Sequence, residues 1–303
     1  MRVHVVTVPY RYDQPDEGLG LGPSRLLEEG LLDAISAAGH EQTGSSEACL
    51  PDDAREQGRT AVNIGRLGSE TASLVAQRRT QGEAVFVVAG DDTATIGVVA
   101  GLQQADGAGT PLGIVWFDAH GDFNTPETSY SGILAGMPLA ILAGLAGPRW
   151  REAAGIVVPI ATDRIVLAGA RDFDEKEEVL LRSTEVHRVT APDVRAKAPF
   201  TSVIGRLASS VSIIYVNIDL DVLDPRLVPS STTPSPNGLE IDDVAEALGQ
   251  VMATGKVAAV SITSLNPLGG QRGARAVQTA HDLVAQLMAR WTSVPALPAT
   301  YGR

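Results

Sequence analysis

The stretch Leu112-Gly113-Ile114-Val115-Trp116-Phe117-Asp118-Ala119-His120-Gly121-Asp122-Phe123-Asn124 decides the fold of this chain. A largely apolar run leads directly into two carboxylates, an imidazole and an amide. Continuous rather than alternating apolarity is typical of a strand that is buried on both faces, as in a parallel sheet. In such a sheet, ligands bind at the carboxyl ends of the strands. The stretch therefore predicts a buried strand that ends at a functional site.

Similar apolar, β-branched runs recur along the chain and alternate with segments of helical periodicity. The predicted strands cover residues 2–8, 84–89, 112–118, 164–169, 211–218 and 257–263. The predicted helices cover residues 24–38, 59–79, 240–254 and 274–291. Because alternating strands and helices imply a parallel sheet covered on both sides, we predict an α/β fold. It should be a three-layer α/β/α arrangement with a mostly parallel central sheet.

Length and composition favour one domain. The chain has 303 residues, 44% of them hydrophobic, which is enough for one large core. We expect a single domain over residues 1–303, in which residues 294–303 form a loosely ordered tail.

Charge and cysteine content bound the partners. The 24 Lys and Arg residues face 36 Asp and Glu residues, and a net charge of −12 disfavours nucleic acid as a partner. No apolar run is long enough for a membrane span, so no membrane partner is expected. The single cysteine, Cys49, excludes a disulfide framework within the chain and favours a cytoplasmic location.

Two acidic clusters carry the candidate chemistry. In the first cluster, Asp118, His120, Asp122 and Asn124 occupy alternate positions, which would face one side of an extended segment. The second cluster, residues 217–225, has the same alternation, with Asp219 and Asp221 two positions apart. Such a concentration of carboxylates would hold some of them protonated unless cations were bound. A solvated loop with an incidental histidine is the competing interpretation of the first cluster taken alone.

The ligand types indicate the metal. Mostly oxygen ligands with a single imidazole suit manganese better than a structural zinc ion. Two carboxylate clusters favour two ions over one. The residues themselves therefore predict a centre that holds two divalent ions, with manganese as the expected metal.

The two clusters also carry a family resemblance. Residues 116–124 (WFDAHGDFN) and 217–225 (NIDLDVLDP) resemble the two signature blocks of the arginase/agmatinase-like ureohydrolases, in the same order and spacing. Shorter matching pieces run through most of the chain: Gly20-Leu21-Gly22-Pro23, Ala89-Gly90-Asp91-Asp92, Ser131-Gly132, Gly169-Ala170-Arg171-Asp172, Thr233-Pro234, Gly238-Leu239 and Asn266-Pro267. The chain thus looks like a divergent member of that family.

The resemblance implies a role for each metal ligand. Asp118 and Asp219 would bridge two manganese ions, Asp122 would belong to one ion, and His120 with Asp221 would complete the other. A metal-bridging hydroxide would then attack the carbon of a guanidinium or amidine, and an amine would leave.

Further site residues also follow from the resemblance. Asp122 would take the proton of the nucleophile, and Thr233 would hydrogen-bond the site. Asn124, Ser131 and Asp174 match positions that hold an amino-acid substrate. For Asn124 and Ser131 the competing interpretation is loop capping, and for Asp174 it is the start of a helix.

Three positions depart from the family pattern. Asp92 stands where the family has a histidine ligand; an aspartate can still reach a metal, but it adds negative charge and changes the affinity of that side. Ala135 stands where arginases have a histidine thought to relay protons. Ser264 stands where a glutamate usually pairs with the guanidinium, and it offers the substrate only a neutral hydroxyl. These departures argue against ordinary arginase activity.

The leading hypothesis is a manganese-dependent hydrolase of a carbon–nitrogen bond, diverged from ordinary arginase. Its substrate would be a small cationic guanidino or amino-acid-like compound. The alternative is a metal-binding pseudoenzyme or regulatory homologue without ureohydrolase turnover. The resemblance further implies a homo-oligomer, a trimer or a hexamer.

Overall fold

The fold is seen in a computed structural model that describes residues 1–298. Its strands are β1 (Arg2–Val8), β2 (Tyr10–Arg11), β3 (Gln14–Pro15), β4 (Glu41–Glu47), β5 (Ala84–Ala89), β6 (Leu112–Phe117), β7 (Ile165–Ala168), β8 (His187–Val189), β9 (Ile213–Asp219) and β10 (Val257–Thr263). Its α-helices are α1 (Gly22–Glu28), α2 (Leu31–Ala37), α3 (Thr60–Thr80), α4 (Thr95–Asp106), α5 (Pro138–Leu142), α6 (Pro148–Ala154), α7 (Glu175–Arg182), α8 (Ala191–Arg195), α9 (Ala198–Ser210), α10 (Ile241–Met252) and α11 (Gln271–Arg290).

One parallel sheet organises the molecule. Eight strands lie in the order β4-β1-β5-β10-β9-β6-β7-β8, and each neighbouring pair is parallel. Strands β2 and β3 form a separate antiparallel hairpin. Because the large sheet is parallel, the carboxyl ends of its strands meet at one edge, where ligands bind in such folds.

Helices cover both faces of the sheet. Along β5, Phe86 faces a core that includes Leu26 of α1 and Leu287 of α11. Its neighbour Val87 faces the opposite core, which includes Val98 of α4. Both cores are buried, which explains why β5 and β6 have no polar side chain at any position. The predicted three-layer α/β/α fold with a parallel central sheet is confirmed.

The predicted elements differ from the structure in instructive places. The strands 2–8, 84–89 and 257–263 have the predicted bounds. The helix predicted over 24–38 is two helices, because Gly30 between them adopts a left-handed φ of 96°. The strand 41–47 and the helix 95–106 were absent from the prediction.

The end of the chain was predicted to be loosely ordered. Residues 294–298 have no regular secondary structure, although Val294 packs against the core. Residues 299–303 lie outside the described part of the chain. Over residues 1–298, no helix has the length and apolarity needed to cross a membrane.

Candidate metal centre and active site

A cavity of about 340 Å³ opens at the carboxyl edge of the sheet. Its wall contains all the predicted site residues except Asp118: Asp92, His120, Asp122, Asn124, Ser131, Asp174, Asp219, Asp221, Thr233 and Ser264. They follow strands β5, β6, β7, β9 and β10, and a loop after β9 supplies Thr233. The parallel sheet therefore brings together residues that are far apart in sequence.

The possible metal ligands form two groups that share one residue. Ligand atoms of Asp118, His120 and Asp221 lie within 4.8 Å of one another. The same holds for Asp92, Asp118 and Asp122. Asp118 belongs to both groups, as expected of a bridging carboxylate. Asp219, the other residue expected to bridge, lines the cavity but is in neither group.

Two donors hold the shared carboxylate. Trp116 Nε1 donates to Asp118 Oδ2 at 3.0 Å, and the backbone N–H of His120 donates to Asp118 Oδ1 at 2.7 Å. Both donors come from residues two positions away, so this orientation is built into the local sequence. The side chain of Asp118 is buried, and its carboxylate has a fixed direction.

A second set of contacts aligns His120 with Asp221. The His120 Nδ1 atom lies 3.1 Å from Asp221 Oδ2 and 3.3 Å from Asp118 Oδ1. Asp221 also accepts from the backbone N–H of Ala119 at 3.1 Å and from Thr233 Oγ1 at 2.9 Å. The Thr233 hydroxyl therefore positions a candidate ligand.

Asp92 sits in a dense hydrogen-bond network. Its Oδ1 accepts from Asn217 Nδ2 and from Thr263 Oγ1, both at 2.8 Å. The Oγ atom of Ser264 lies 3.2 Å from Asp92 Oδ2 and 2.6 Å from Asp219 Oδ2. The hydroxyl of Ser264 thus links two carboxylates that face each other at the base of the cavity.

Asp122 combines a left-handed backbone conformation with a buried carboxylate oxygen that has no hydrogen-bond partner among residues 1–298. Its φ of 48° lies in the left-handed region, which turns the chain after His120. The predicted extended segment with alternating faces is therefore wrong beyond β6, and Asp122 reaches the site through this turn. Among residues 1–298, no hydrogen-bond partner satisfies its buried Oδ2 atom.

The crowding of carboxylates is visible in their proton affinities. Burial, and then the charge of Asp221, raise the pKa of Asp118 to about 7. Burial and the neighbouring carboxylates raise the pKa values of Asp122 and Asp219 well above the ordinary value. Burial opposes a charged His120, yet its hydrogen bonds to Asp118 and Asp221 raise the pKa of His120 to about 11.

These observations fit a divalent metal centre. A buried cluster of carboxylates with one imidazole is the donor set expected of manganese rather than of structural zinc. Burial and repulsion between the carboxylates raise the pKa values of Asp118 and Asp122, and bound cations would offset this cost. The unsatisfied Oδ2 of Asp122 is an oxygen that an ion could use. Asp92, Asp118 and Asp122 could hold one ion, and Asp118, His120 and Asp221 another.

The candidate substrate residues lie at the outer part of the cavity. Asn124 Nδ2 donates to Asp174 Oδ2 at 3.2 Å, and the backbone N–H of Ile133 donates to Ser131 Oγ at 3.2 Å. Asp174 also forms the capping box of α7 together with Glu177. The capping roles weighed against substrate binding are thus present, while all three predicted residues still line the cavity.

Several supporting residues were not identified from the sequence. Arg171 donates to the backbone carbonyl of Asp221 at 3.0 Å and to that of Ser235 at 2.9 Å, so it joins two loops of the site. Glu177 accepts from the backbone N–H of Phe123 at 2.9 Å, and burial raises its pKa to about 7. Arg171 lies in the matching piece Gly169-Ala170-Arg171-Asp172, and this motif is the sequence signal that could have identified it.

Comparison with known proteins agrees with this geometry. The family model described as "Arginase family" matches residues 1–289. The chain is 30% identical to the arginase of Coccidioides posadasii, over 87% of this chain and 86% of that protein. It is 28% identical to the arginase of Bacillus caldovelox, over 89% of this chain and 92% of that protein.

A solved structure shows the same fold. The arginase from Bacillus cereus superposes with a TM-score of 0.81 at 26% identity, covering 95% of this chain and 98% of that one. Sequence, fold and the two acidic clusters therefore point the same way. The chain belongs to the arginase family, and it is a hydrolase of carbon–nitrogen bonds other than peptide bonds.

Proposed function

We propose that the protein is a manganese-dependent hydrolase of a guanidino or related amidine compound, diverged from ordinary arginase. The observation that carries this proposal is the pair of ligand groups that share the buried Asp118 and whose other members line one cavity. Sites with two adjacent divalent ions are suited to hydrolysis because they stabilise both the attacking and the leaving atoms.

Five residues would hold the two ions, and Thr233 would orient one of these ligands. Asp92, Asp118 and Asp122 would hold one ion, and Asp118, His120 and Asp221 the other. When bound, such ions supply a water nucleophile at neutral pH and stabilise negative charge that develops on the substrate. Thr233 orients Asp221 through the 2.9 Å hydrogen bond to its Oδ2.

Asp122 is the candidate proton acceptor. Its Oδ2 atom is buried and, among the described residues, has no hydrogen-bond partner. Burial, and then the charges of Asp118 and Asp92, raise its pKa well above the ordinary value, which favours uptake of a proton by this carboxylate. One oxygen of Asp122 would hold the ion, and the other would accept the proton of the nucleophile and pass it to the leaving amine.

The charge of the site favours a cationic substrate group. Two divalent ions supply four positive charges, and the carboxylates of Asp92, Asp118, Asp122, Asp219 and Asp221 supply five negative ones. Five negative and four positive charges leave one net negative charge, which attracts a guanidinium or amidinium cation. Ser264 contributes no charge because its hydroxyl is neutral, and this hydroxyl contacts Asp92 and Asp219.

A metal-binding pseudoenzyme or regulatory homologue is the second candidate. It is favoured by Ala135, whose methyl group in the cavity wall can neither donate nor accept a proton. It would bind metal with the same ligands but would not turn over guanidino compounds.

The decisive experiment is a screen for urea or amine release by the manganese-loaded protein. The compounds are arginine, hydroxyarginine, agmatine, guanidinobutyrate and guanidinosuccinate. We expect release from at least one of them, and its loss in Asp122→Asn. The matched control is Asp163→Asn, an exposed aspartate outside the cavity. Metal uptake without release from any compound would support the pseudoenzyme.

Assembly and location complete the proposal. We propose a homo-oligomer, a trimer or hexamer, in keeping with the exposed apolar side chains of Leu145, Val157 and Val158 in neighbouring loops. We also propose a cytoplasmic location, in keeping with the single cysteine. Light scattering of the purified protein would measure the first, and fractionation of the source cells the second.

A further inference from the structure

A cationic side chain stands in an acidic wall. Eight of the described residues that line the cavity are Asp or Glu, and Arg11 is the one Arg or Lys among them. The Arg11 side chain is exposed, and its guanidinium carbon lies 5.9 Å from the centre of the Tyr12 ring. Among residues 1–298, no carboxylate oxygen lies within 4.0 Å of a guanidinium nitrogen of Arg11, the distance that defines an ion pair.

The position of Arg11 is fixed by its hairpin. Arg11 ends strand β2, and the turn that follows is tied to the body of the protein at two points. The backbone N–H of Tyr12 donates to Asp91 Oδ2 at 2.7 Å, and Asn63 Nδ2 donates to Asp13 Oδ2 at 2.7 Å. Asp91, Asp13 and Asn63 are all buried. The two residues of the turn, Tyr12 and Asp13, therefore hold the arginine at the cavity.

The buried and the exposed parts of the cavity lining differ in charge. Asp92, Asp219 and Asp221 are buried, whereas the exposed part contains Arg11 together with the carboxylate of Asp172. A guanidinium presents a planar set of N–H donors that matches a carboxylate with two parallel hydrogen bonds. An arginine that lines a binding cavity without a carboxylate partner of its own can offer these donors to a ligand.

We propose that Arg11 is a specificity-determining residue that binds a carboxylate at the far end of the substrate. The inference rests on the proposed function, and it adds the residue that selects a substrate with a carboxylate at its far end. The cationic carbon centre lies toward the metal ligands, and the carboxylate lies toward the mouth. Compounds with an amine at the far end are disfavoured, because two cations would face each other.

The test compares ligands that differ only at the far end. 4-Guanidinobutyrate and butylguanidine have the same chain length, but one ends in a carboxylate and the other in a methyl group. Calorimetry on the manganese-loaded full chain measures their dissociation constants for the unmodified protein, Arg11→Ala and Arg11→Lys. Arg149→Ala is the matched control, since Arg149 is also exposed but lies outside the cavity.

We expect Arg11→Ala to weaken 4-guanidinobutyrate by about 10-fold to 100-fold, the range for a lost charge-assisted hydrogen bond. Butylguanidine should change by less than about twofold, because its methyl end makes no such bond. Arg11→Lys should recover part of the loss, and Arg149→Ala should have no effect. Equal weakening of both ligands, or no weakening of either, would overturn the role of Arg11.

A third probe separates this inference from the proposed function. Butyrate carries the carboxylate without the guanidine group. If the unmodified protein bound neither guanidino compound but bound butyrate, and Arg11→Ala abolished that binding, the role of Arg11 would stand and the guanidino function would fail. If guanidino compounds bound equally well to the unmodified protein and Arg11→Ala, the function would stand and Arg11 would have no role. Binding of no probe would refute both.

Discussion

Replacing Asp118 with asparagine tests whether one carboxylate serves two ion sites. Asp118 is the residue common to both ligand groups, whereas Asp122 and His120 each belong to one. After dialysis against manganese, we expect two ions in the unmodified chain, one in Asp122→Asn or His120→Asn, and none in Asp118→Asn. Elemental analysis per chain gives these stoichiometries directly.

In the metal-free protein, Asp118→Asn changes the free energy of unfolding through two opposing effects. Burial raises the pKa of Asp118 from 3.8 to about 7. A folded-state pKa above the unfolded value means that the fold loses stability as pH rises from about 4 to about 7, by roughly 4 kcal/mol for three units. Asparagine removes this cost. It also leaves one oxygen for two donors, Trp116 Nε1 and the His120 N–H, which costs about 1 to 3 kcal/mol.

These terms largely offset each other, so metal-free Asp118→Asn should lie within about 3 kcal/mol of the unmodified protein at neutral pH, on the stable side. Bound manganese should make the unmodified protein the more stable of the two. At a manganese concentration of 100 times the dissociation constant, each occupied site adds about 2.7 kcal/mol. The unmodified protein should gain this stabilisation and Asp118→Asn should not.

Thermal unfolding in chelator and in manganese measures both effects. For a domain of this size, each kcal/mol corresponds to a rise in Tm of about 2 to 4 °C. Equal metal stoichiometry in Asp118→Asn and Asp122→Asn would refute the shared ligand. A severe loss of stability in metal-free Asp118→Asn would refute the reasoning from burial.

Three further outcomes are expected. Manganese binding should release protons, because His120, with its pKa raised to about 11, must lose a proton to become a ligand. The apparent affinity for manganese should therefore fall as pH is lowered from about 8 to about 6, and calorimetry in two buffers of different ionisation enthalpy measures the proton release. Arginine should be hydrolysed several orders of magnitude more slowly than the roughly 1 to 10³ per second typical of enzymes, and Ser264→Glu should raise the rate of urea release only when Asp92→His accompanies it. Arg79→Leu should cost about 3 to 5 kcal/mol in urea unfolding, since it leaves the fully buried Asp106 carboxylate without its two hydrogen bonds, whereas replacing both partners with apolar residues should cost much less.

The central strands were predictable because burial on both faces leaves a continuous apolar run, as in residues 84–89 and 257–263. The strand 41–47 reads EQTGSSE, and it forms only because its backbone pairs with β1 at the edge of the sheet. The helix 95–106 is buried on nearly all sides, so it lacks the polar face that reveals a surface helix. Both depend on tertiary context that local sequence does not contain.

The site was predictable where ligands are adjacent in sequence and not where distant residues support them. Asp118 and Asp221 stand out within acidic clusters that no buried loop would carry without a purpose. The donors to Asp92 come from Asn217 and Thr263, which lie more than 100 residues away. Arg11 gave no signal either, because only the folded hairpin places it at the cavity.

The two departures from the family pattern at the base of the cavity are physically coupled. Asp92 accepts hydrogen bonds from Asn217 and Thr263 on one oxygen and faces the hydroxyl of Ser264 with the other. An imidazole at position 92 has at most one acceptor, so at least one buried donor would lose its partner.

The converse holds at position 264. A glutamate there would place a third carboxylate beside Asp92 and Asp219, which Ser264 Oγ now contacts at 3.2 and 2.6 Å. Like charges at such distances cannot all stay ionised. Negative charge therefore fits at position 92 or at position 264, but not at both. In this chain the carboxylate lies at position 92, and the neutral hydroxyl of Ser264 lies between it and Asp219. This coupling supports the proposal that the specificity of the site differs from that of ordinary arginase.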